Sequence, residues 1–338
     1  MTSETHTAAE NSLSSAERAG IWNRYWNRGV PWSCADLGLD NPQSDASVFW
    51  RNLLSPLNES DHILELGAGN GSFLSVIGRE CGAEEHPSYT GVDLSDNGDT
   101  WRRWATPGTE HRIRLLGGVN AEELPLDDHS VSLLISQFCF EYTDTTKVLQ
   151  DIRRVLYSSG AAVGMIIHAD TSRVTSVARN DLSHVRMLLA DDGLFRATAA
   201  MLPYAAQATS PEAKAALKDD PEAEAVRAHF NACQQAVAAA IEASDAPQTL
   251  MDASRAAHIV LVTASQQGLA QAEDQLQGVT GMYQDELQRL DELVACAWSE
   301  EQLKVFCTTL EASGFSDITT ASISNRDYLM GWSLTARR

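Results

Sequence analysis

Three glycines at alternate positions follow a short apolar run in Ile63–Phe73, ILELGAGNGSF. Because glycine lets the backbone approach a bound nucleotide closely, this segment predicts a cofactor loop at the end of a strand. Ser72 follows Gly71, so the spacing G-x-G-x-G differs from the G-x-G-x-x-G of nicotinamide and flavin sites. The sequence also has no G-x-x-x-x-G-K-[ST] motif for a nucleoside triphosphate. The loop alone leaves the cofactor open.

Two carboxylates stand where such a cofactor could be bound. Glu65 lies at the end of the apolar run, directly before the glycines, and Asp93 ends the next apolar run, TGVDLS. A carboxylate at the position of Asp93 can accept two hydrogen bonds from the vicinal hydroxyls of a ribose. The segment 120–138, NAEELPLDDHSVSLLISQF, then places a polar turn before another apolar run.

The residues that could act on a second substrate follow the fourth and fifth apolar runs. His168 ends the fifth run and is the best candidate for a general base, because its ordinary pKa lies near neutrality. Glu141 and Tyr142, in QFCFEYTD, could orient an acceptor amine or hydroxyl, and Cys139 could line the pocket. Structural hydrogen bonding, or core packing for Cys139, is the alternative for each of these residues.

Aromatic residues are unusually dense in Ile21–Ser33, IWNRYWNRGVPWS. The segment predicts a short helix that stops at Gly29 and Pro31. Its aromatic rings either pack on the core or form a flap over a ligand, since large rings bury much area at low entropic cost. The four rings are those of Trp22, Tyr25, Trp26 and Trp32.

These residues need a scaffold, and the apolar periodicity indicates one. Short apolar strands alternate with helical patterns, which predicts a Rossmann-like α/β fold: a mostly parallel, seven-stranded sheet with helices on both faces. A helix whose apolar face includes Val148, Leu149 and Ile152 precedes the fifth strand and ends before Gly160. The strands are expected at 62–66, 88–93, 112–118, 131–136, 161–167, 316–322 and 327–334.

The alternation stops after the fifth strand. An Ala-rich stretch with helical spacing and scattered prolines predicts a large all-helical insertion between strands five and six, acting as a lid over the site or as a dimer interface. Ser299 and Gln302 form a capping box where the α/β pattern resumes. The expected organisation is a flexible tail (1–20), an aromatic cap (21–58), a core (59–170), the helical insertion (171–297) and the completion of the sheet (298–338).

Composition narrows the class of protein. The formal net charge is −21 and no apolar stretch is long enough to span a membrane, so neither nucleic acid nor a membrane is an expected partner. The polar N-terminal segment has no targeting pattern, and six scattered cysteines indicate reduced thiols and a cytoplasmic protein. No cysteine has a partner at zinc-ligand spacing, so no metal site is expected.

As an ordered set, ILELGAGNG, VDLS, AEELPLDDHSVSLLIS and IRRVLYSSGAAVGMIIH resemble the class I S-adenosylmethionine-dependent methyltransferases, and most closely their broad small-molecule group. The resemblance covers residues 61–168 and the last forty residues. It implies S-adenosylmethionine as cofactor and S-adenosylhomocysteine as product. Three positions depart from the family pattern: Asn120 stands for an Asp, Val131-Ser132 for Phe-Asp, and Tyr157-Ser158-Ser159-Gly160 for Lys-Pro-Gly-Gly.

The resemblance also implies roles for matching residues. The methionine part of the cofactor would contact Glu65 and the glycine loop, and the ribose would bind to Asp93. The adenine ring would pack on Leu94, and its amino group would be recognised by the Asn120-Ala121 pair. Gln137 would lie near the sulfonium. The loop residues concerned are Gly67, Ala68 and Gly69.

The implied activity is transfer of a methyl group by in-line displacement to an O, N or S atom of a small molecule. The first alternative keeps this chemistry but takes a peptide or protein as acceptor, recognised by the helical insertion. The second is a cofactor-binding protein without turnover, which the joint presence of Glu65, Gly67, Gly69, Gly71 and Asp93 disfavours. A homodimer is compatible with each of these functions.

Overall fold

A computed structural model of the protein describes residues 13–33 and 37–338. The chain divides into two compact units, which are called the core unit (residues 1–174 and 296–338) and the helical unit (residues 175–295) below. These borders lie within four residues of those expected for the helical insertion. The first twelve residues of the predicted tail, and Cys34, lie outside the described residues.

One seven-stranded sheet forms the centre of the core unit, with strand order β3-β2-β1-β4-β5-β7-β6. β7 runs antiparallel to β5 and β6, and the other neighbours are parallel. The predicted Rossmann-like, mostly parallel sheet is thus confirmed. Its strands are β1 His62–Leu66, β2 Ser88–Val92, β3 Ile113–Leu116, β4 Leu133–Gln137, β5 Ala162–Ile167, β6 Ser316–Asn325 and β7 Tyr328–Arg337.

Both faces of the sheet are covered, as β5 shows. Successive strand residues point to opposite faces. Val163, Met165 and Ile167 belong to a buried cluster that also contains apolar residues of the helices at 145–155 and 300–312. On the other face, Gly164 lies against Leu53 and Trp50 of the helix at 45–54.

The core unit contains five α-helices among the described residues. The first begins at Ser15, six residues before the predicted start, because Ser14 and Glu17 form a capping box that fixes its N-terminus. It ends at Trp26 rather than near Gly29. The capping box at Ser299 is present as predicted. These helices are α1 Ser15–Trp26, α2 Asp45–Leu54, α3 Leu74–Cys81, α4 Thr145–Val155 and α11 Glu300–Ala312.

The helical unit has its own buried cluster, in which Leu194, Leu250, Val260 and Leu276 take part. Pro203 lies inside α6. None of the described helices has the length and apolarity that a membrane crossing requires. The six helices are α5 Arg173–Leu189, α6 Leu194–Gln207, α7 Pro211–Lys218, α8 Pro221–Ala243, α9 Gln248–Gln267 and α10 Leu269–Cys296.

Candidate active site

The glycine loop turns sharply at the carboxyl end of β1. Gly67 has φ +73° and Gly69 φ +54°, conformations that side chains disfavour. The space is also closed: a Cβ on Gly67 would overlap Cys139, and one on Gly69 would lie 2.6 Å from the Trp26 ring. Glycine is therefore required at both positions.

Asp93 lies directly beyond β2 and holds the glycine loop. One carboxylate oxygen accepts the backbone N–H of Gly69 at 2.7 Å, and the other accepts the N–H and the hydroxyl of Ser95 at 2.8 and 2.6 Å. Burial raises the pKa of Asp93, while these hydrogen bonds act in the opposite direction. The three donors leave acceptor capacity on the carboxylate, which faces the cavity described below.

Glu65 is buried, with 4% of its surface exposed. Its Oε2 accepts a hydrogen bond from the hydroxyl of Tyr89, which reaches it from β2. Burial raises the pKa of Glu65 to about 8, and the nearby charge of Asp93 adds to this effect. A buried carboxylate that lines a cavity and has no cationic partner among the described residues is a site for a positively charged ligand group.

The remaining predicted cofactor residues lie around the same cavity. Asn120 folds into a local turn in which its side-chain oxygen accepts the N–H of Glu122 at 3.2 Å, which leaves one lone pair of that oxygen for a ligand. The Gln137 amide is oriented by the indole N–H of Trp50, at 3.0 Å from Gln137 Oε1. Lining residues predicted for the cofactor are Glu65, Gly67, Ala68, Asp93, Leu94, Asn120, Ala121 and Gln137. Gly69 contributes to the loop beneath Trp26 rather than to the lining.

This cavity has a volume of about 580 Å³, within the range of small-molecule and cofactor sites. Its lining includes the glycine loop and the two carboxylates. It also includes aromatic and apolar side chains from α1, from the chain that follows it and from the turn after β4. The latter set includes Trp22, Trp26, Trp32, Leu37, Phe138 and Tyr142.

The aromatic segment thus borders the cavity. Trp22 stacks on Trp26, with ring centroids 6.1 Å apart, and Tyr25 packs edge-on against both rings. Two hydrogen bonds fasten this segment to the core: Asp96 N–H donates to Asn23, and the Asn70 amide donates to the carbonyl of Val30. Trp22, Trp26 and Trp32 line the cavity. Tyr25 does not, because its hydroxyl is turned to the Trp32 carbonyl at 3.2 Å.

His168 lies away from the cavity, contrary to what a direct general base requires. Its side chain is fully buried, and its Nδ1 is 2.6 Å from Oε1 of Glu141, which is buried as well. The ring of Phe138 stacks over the imidazole at 4.2 Å. Phe138 lines the cavity, whereas His168 and Glu141 do not. The predicted neighbours therefore meet, but as a buried pair beneath the cavity wall.

Tyr142 and Cys139 do face the cavity. Tyr142 packs edge-on against His168, with ring centroids 5.8 Å apart, so the buried pair supports its position. Burial, followed by the charge of Asp93, raises the pKa of the Cys139 thiol well above its usual value, so the thiol stays protonated. Cys139 is therefore a residue of the cavity wall.

The residues present fit S-adenosylmethionine. A glycine cradle that a Cβ would fill, a buried carboxylate that has no cationic partner in the described part of the chain, and a second carboxylate beyond β2 are groups that suit its amino acid and ribose parts. Tyr89, Asn70 and Asn97 also support the site, although no sequence pattern predicted them. The side-chain amide of Asn97 donates to the Gly69 carbonyl at 2.9 Å. In 13–33 and 37–338, no three His, Cys, Asp or Glu residues cluster as metal ligands.

Comparison with known proteins agrees with this geometry. Residues 64–164 match the family model described as a methyltransferase domain. No curated protein matches the sequence. Among solved structures, a methyltransferase of Haloferax volcanii in complex with the Trm112 activator is 20% identical, with 44% of this chain and 60% of that chain covered and a TM-score of 0.34. This protein thus matches about 60% of the length of that chain.

Two further structures are similar at the same level. A SAM-dependent methyltransferase from Aquifex aeolicus is 16% identical, with 48% of this chain and 77% of that one covered and a TM-score of 0.31. The geranyl diphosphate C-methyltransferase of Streptomyces coelicolor A3(2), in complex with Mg²⁺, geranyl diphosphate and S-adenosyl-L-homocysteine, is 17% identical, with 48% and 67% covered and a TM-score of 0.35.

Proposed function

Since the core unit contains a class I S-adenosylmethionine-dependent methyltransferase domain, we propose that the protein methylates an O, N or S atom of a small-molecule acceptor. The observation that carries this proposal is the cavity of about 580 Å³, whose lining combines cofactor-type groups with aromatic side chains. Such a partly enclosed space of this volume suits a small acceptor better than an extended chain.

The bound cofactor supplies an electrophilic methyl group on a sulfonium centre. The protein binds and aligns the reactants and excludes water from between them. Glu65 and the loop take the amino acid part of the cofactor, and Asp93 takes the ribose. Tyr142 is the residue best placed to orient an acceptor heteroatom, because of the predicted catalytic residues it alone lines the cavity. Trp22 and Trp32 supply apolar contact to the acceptor.

A labelling experiment tests this function. The protein is incubated with methyl-labelled S-adenosylmethionine and a metabolite extract, and the products are separated by size. Label in small molecules, absent with Asp93→Ala, supports the proposal. Label in protein would favour the peptide or protein acceptor, and a protein that binds the cofactor without transferring label would favour a non-catalytic role.

The helical unit is, in this proposal, a lid that shapes the acceptor site, with a dimer interface as the alternative. The support is topological: the chain leaves the core after β5, at the carboxyl edge of the sheet where open α/β folds bind ligands. The core-unit segments before and after the helical unit contact each other, because the Asp170 N–H donates to the Trp298 carbonyl at 3.0 Å.

Because these two segments already contact each other, the helical unit can be deleted to test its role. Replacing residues 175–295 by a short Gly-Ser linker leaves the ends of the core unit joined where they already meet. A lid predicts retained binding of S-adenosylhomocysteine and loss of methyl transfer. An interface predicts instead a change from dimer to monomer in sedimentation, with transfer retained.

A further inference from the structure

Glu65 occupies an electrostatically unusual position for a carboxylate. It projects from β1 with 4% of its surface exposed, and the hydroxyl of Tyr89 is its hydrogen-bond partner. Among the described residues, no Lys, Arg or His pairs with it. Removing a carboxylate from water without a cation disfavours its charged form.

The groups that face Glu65 reinforce this effect. The end of β2 presents Asp93, and the turn after β4 presents Cys139, a thiol whose pKa is raised by burial. The imidazole of His168, which follows β5, is turned to Glu141. On α1, Arg18 lines the same cavity. Burial, with the charge of Asp93, raises the pKa of Glu65 to about 8.

We propose that Glu65 is protonated in the free protein at neutral pH and ionises when the α-ammonium group of the cofactor binds beside it, so that binding releases one proton to solvent. The O–H bond of the Glu65 carboxyl breaks, its electron pair stays on the carboxylate, and the proton passes to water or buffer. The inference rests on the proposed contact between Glu65 and the amino acid part of the cofactor.

The neighbouring strand explains how the ionised form is then held. Glu65 is paired in register with Gly91 of β2, and Tyr89 lies two residues earlier on the same face. A Cβ on Gly91 would lie 2.6 Å from the Tyr89 hydroxyl oxygen, so only glycine leaves room for that hydroxyl to reach across. Tyr89 donates to the carboxylate and favours its charged form. Tyr89 is therefore a positioning residue for the cofactor-binding carboxylate.

Calorimetry with S-adenosylhomocysteine tests the proposal without requiring turnover. At pH 6.5, titrations in two buffers of different ionisation enthalpy should show release of about one proton per site, since an acid of pKa about 8 is then almost fully protonated. The apparent Kd should weaken about tenfold for each pH unit between 7.5 and 5.5. Binding with no proton release would overturn the inference, whereas no binding at all would overturn the proposed function.

Variants separate Glu65 from other groups. Glu65→Gln should release no proton and lose the pH dependence of Kd, and a variant that retained both would overturn the inference. If this variant binds too weakly for titration, an infrared difference spectrum of the wild type decides. Addition of S-adenosylhomocysteine should then remove the carbonyl band of a protonated carboxyl, and an unchanged band would overturn the inference.

Tyr89→Phe removes only the hydroxyl donor. It should bind roughly tenfold more weakly, because one hydrogen bond to a charged group is lost. It should still release a proton, and its pH dependence should extend to higher pH, since the Tyr89 hydroxyl no longer favours ionisation. A purely structural role of Tyr89 would lower stability without shifting this pH profile. Tyr157→Phe, which changes a more exposed tyrosine, is the matched control.

Discussion

One oxygen of Glu141 holds both the main chain and the side chain of His168. Oε1 accepts the His168 backbone N–H at 2.7 Å and lies 2.6 Å from Nδ1 of the ring. Because both side chains are fully buried, this contact fixes the end of β5 against the turn that follows β4. The ring of Tyr142 packs on this histidine, so the pair sets the position of a cavity residue from behind.

We therefore expect Glu141→Ala to destabilise the core unit by about 2–4 kcal/mol, since two buried donors lose their acceptor. Glu141→Gln keeps an oxygen at the same place and should recover most of this loss. Urea unfolding followed by tryptophan fluorescence measures the free energy of unfolding of the core unit, because all eight tryptophans lie in that unit. Equal loss in both variants would contradict the structural role.

The same geometry predicts how substitution of His168 affects the pH profile of methyl transfer. Once the acceptor is known, His168→Asn should lower the stability of the core unit but leave the shape of the pH profile of methyl transfer unchanged between pH 6 and 9. A direct general base would instead remove an ionisation from that profile. Tyr142→Phe, at the cavity surface, is the informative comparison, and we expect it to raise the KM of the acceptor.

The sheet could be predicted from the sequence because each strand carries its own signal. All seven strands lie within three residues of their expected ends, since short apolar runs bounded by polar turns leave few alternatives in an α/β pattern. The start of α1 could not be predicted in the same way, because the Ser14–Glu17 capping box stands in a polar segment without apolar periodicity. The continuity of α6 through Pro203 depends on packing of Leu194 and Leu202 in the helical unit, which retains a helix that the missing N–H weakens.

Much of the candidate site required the three-dimensional structure. The burial of His168 depends on Phe138, which adopts φ +56° and so turns its ring over the imidazole. That ring packs against Gly331 of β7, where a Cβ would lie 3.1 Å from it. No local pattern links residues 138, 168 and 331. The contact between Tyr89 and Glu65 likewise depends on the register of two strands and on the missing side chain of Gly91.

Gly67 and Gly82 have nearly the same φ angle but different surroundings. Substituting each of them therefore distinguishes the effect of backbone strain from the effect of a steric clash. Gly67 has φ +73° and Gly82 φ +72°, but a Cβ at Gly67 would overlap Cys139, whereas nothing lies within 4 Å of one at Gly82. Gly82→Ala should destabilise the core unit by about 1–2 kcal/mol through backbone strain, and Gly67→Ala should cost more because its Cβ also collides with Cys139. Gly67→Ala alone should also weaken binding of S-adenosylhomocysteine, by at least about tenfold, as measured by calorimetry. If Gly67→Ala and wild type bound S-adenosylhomocysteine equally well, the loop would tolerate a methyl side chain at position 67.

The carboxylate of Asp93 has two tasks, and Asp93→Asn should impair both. An amide has a single oxygen, so it cannot accept from Gly69 and from Ser95 on opposite sides, and it carries no charge for a ribose. We expect the Kd of S-adenosylhomocysteine to rise roughly 10–100-fold. Asp127→Asn, an exposed substitution of the same type, is the control. An unchanged Kd in Asp93→Asn would place the ribose elsewhere.

Glu65 also makes the stability of the free protein depend on pH. Its pKa in the folded protein, about 8, lies above the ordinary carboxyl value near 4.3, so between these values the folded state binds more protons than the unfolded state. Its contribution to stability is therefore present at low pH and is lost as the pH rises through this window. Glu65→Gln has no such ionisation.

Relative to wild type, Glu65→Gln should therefore become more stable by up to about 1.4 kcal/mol for each pH unit between pH 5 and 8. Unfolding of the free protein in urea, again followed by tryptophan fluorescence, measures the difference at each pH. Glu123→Gln, at an exposed position, should track the wild type throughout. Parallel curves for Glu65→Gln and wild type would mean that Glu65 is already ionised in the free protein. Divergence that S-adenosylhomocysteine abolishes would link the ionisation to cofactor binding.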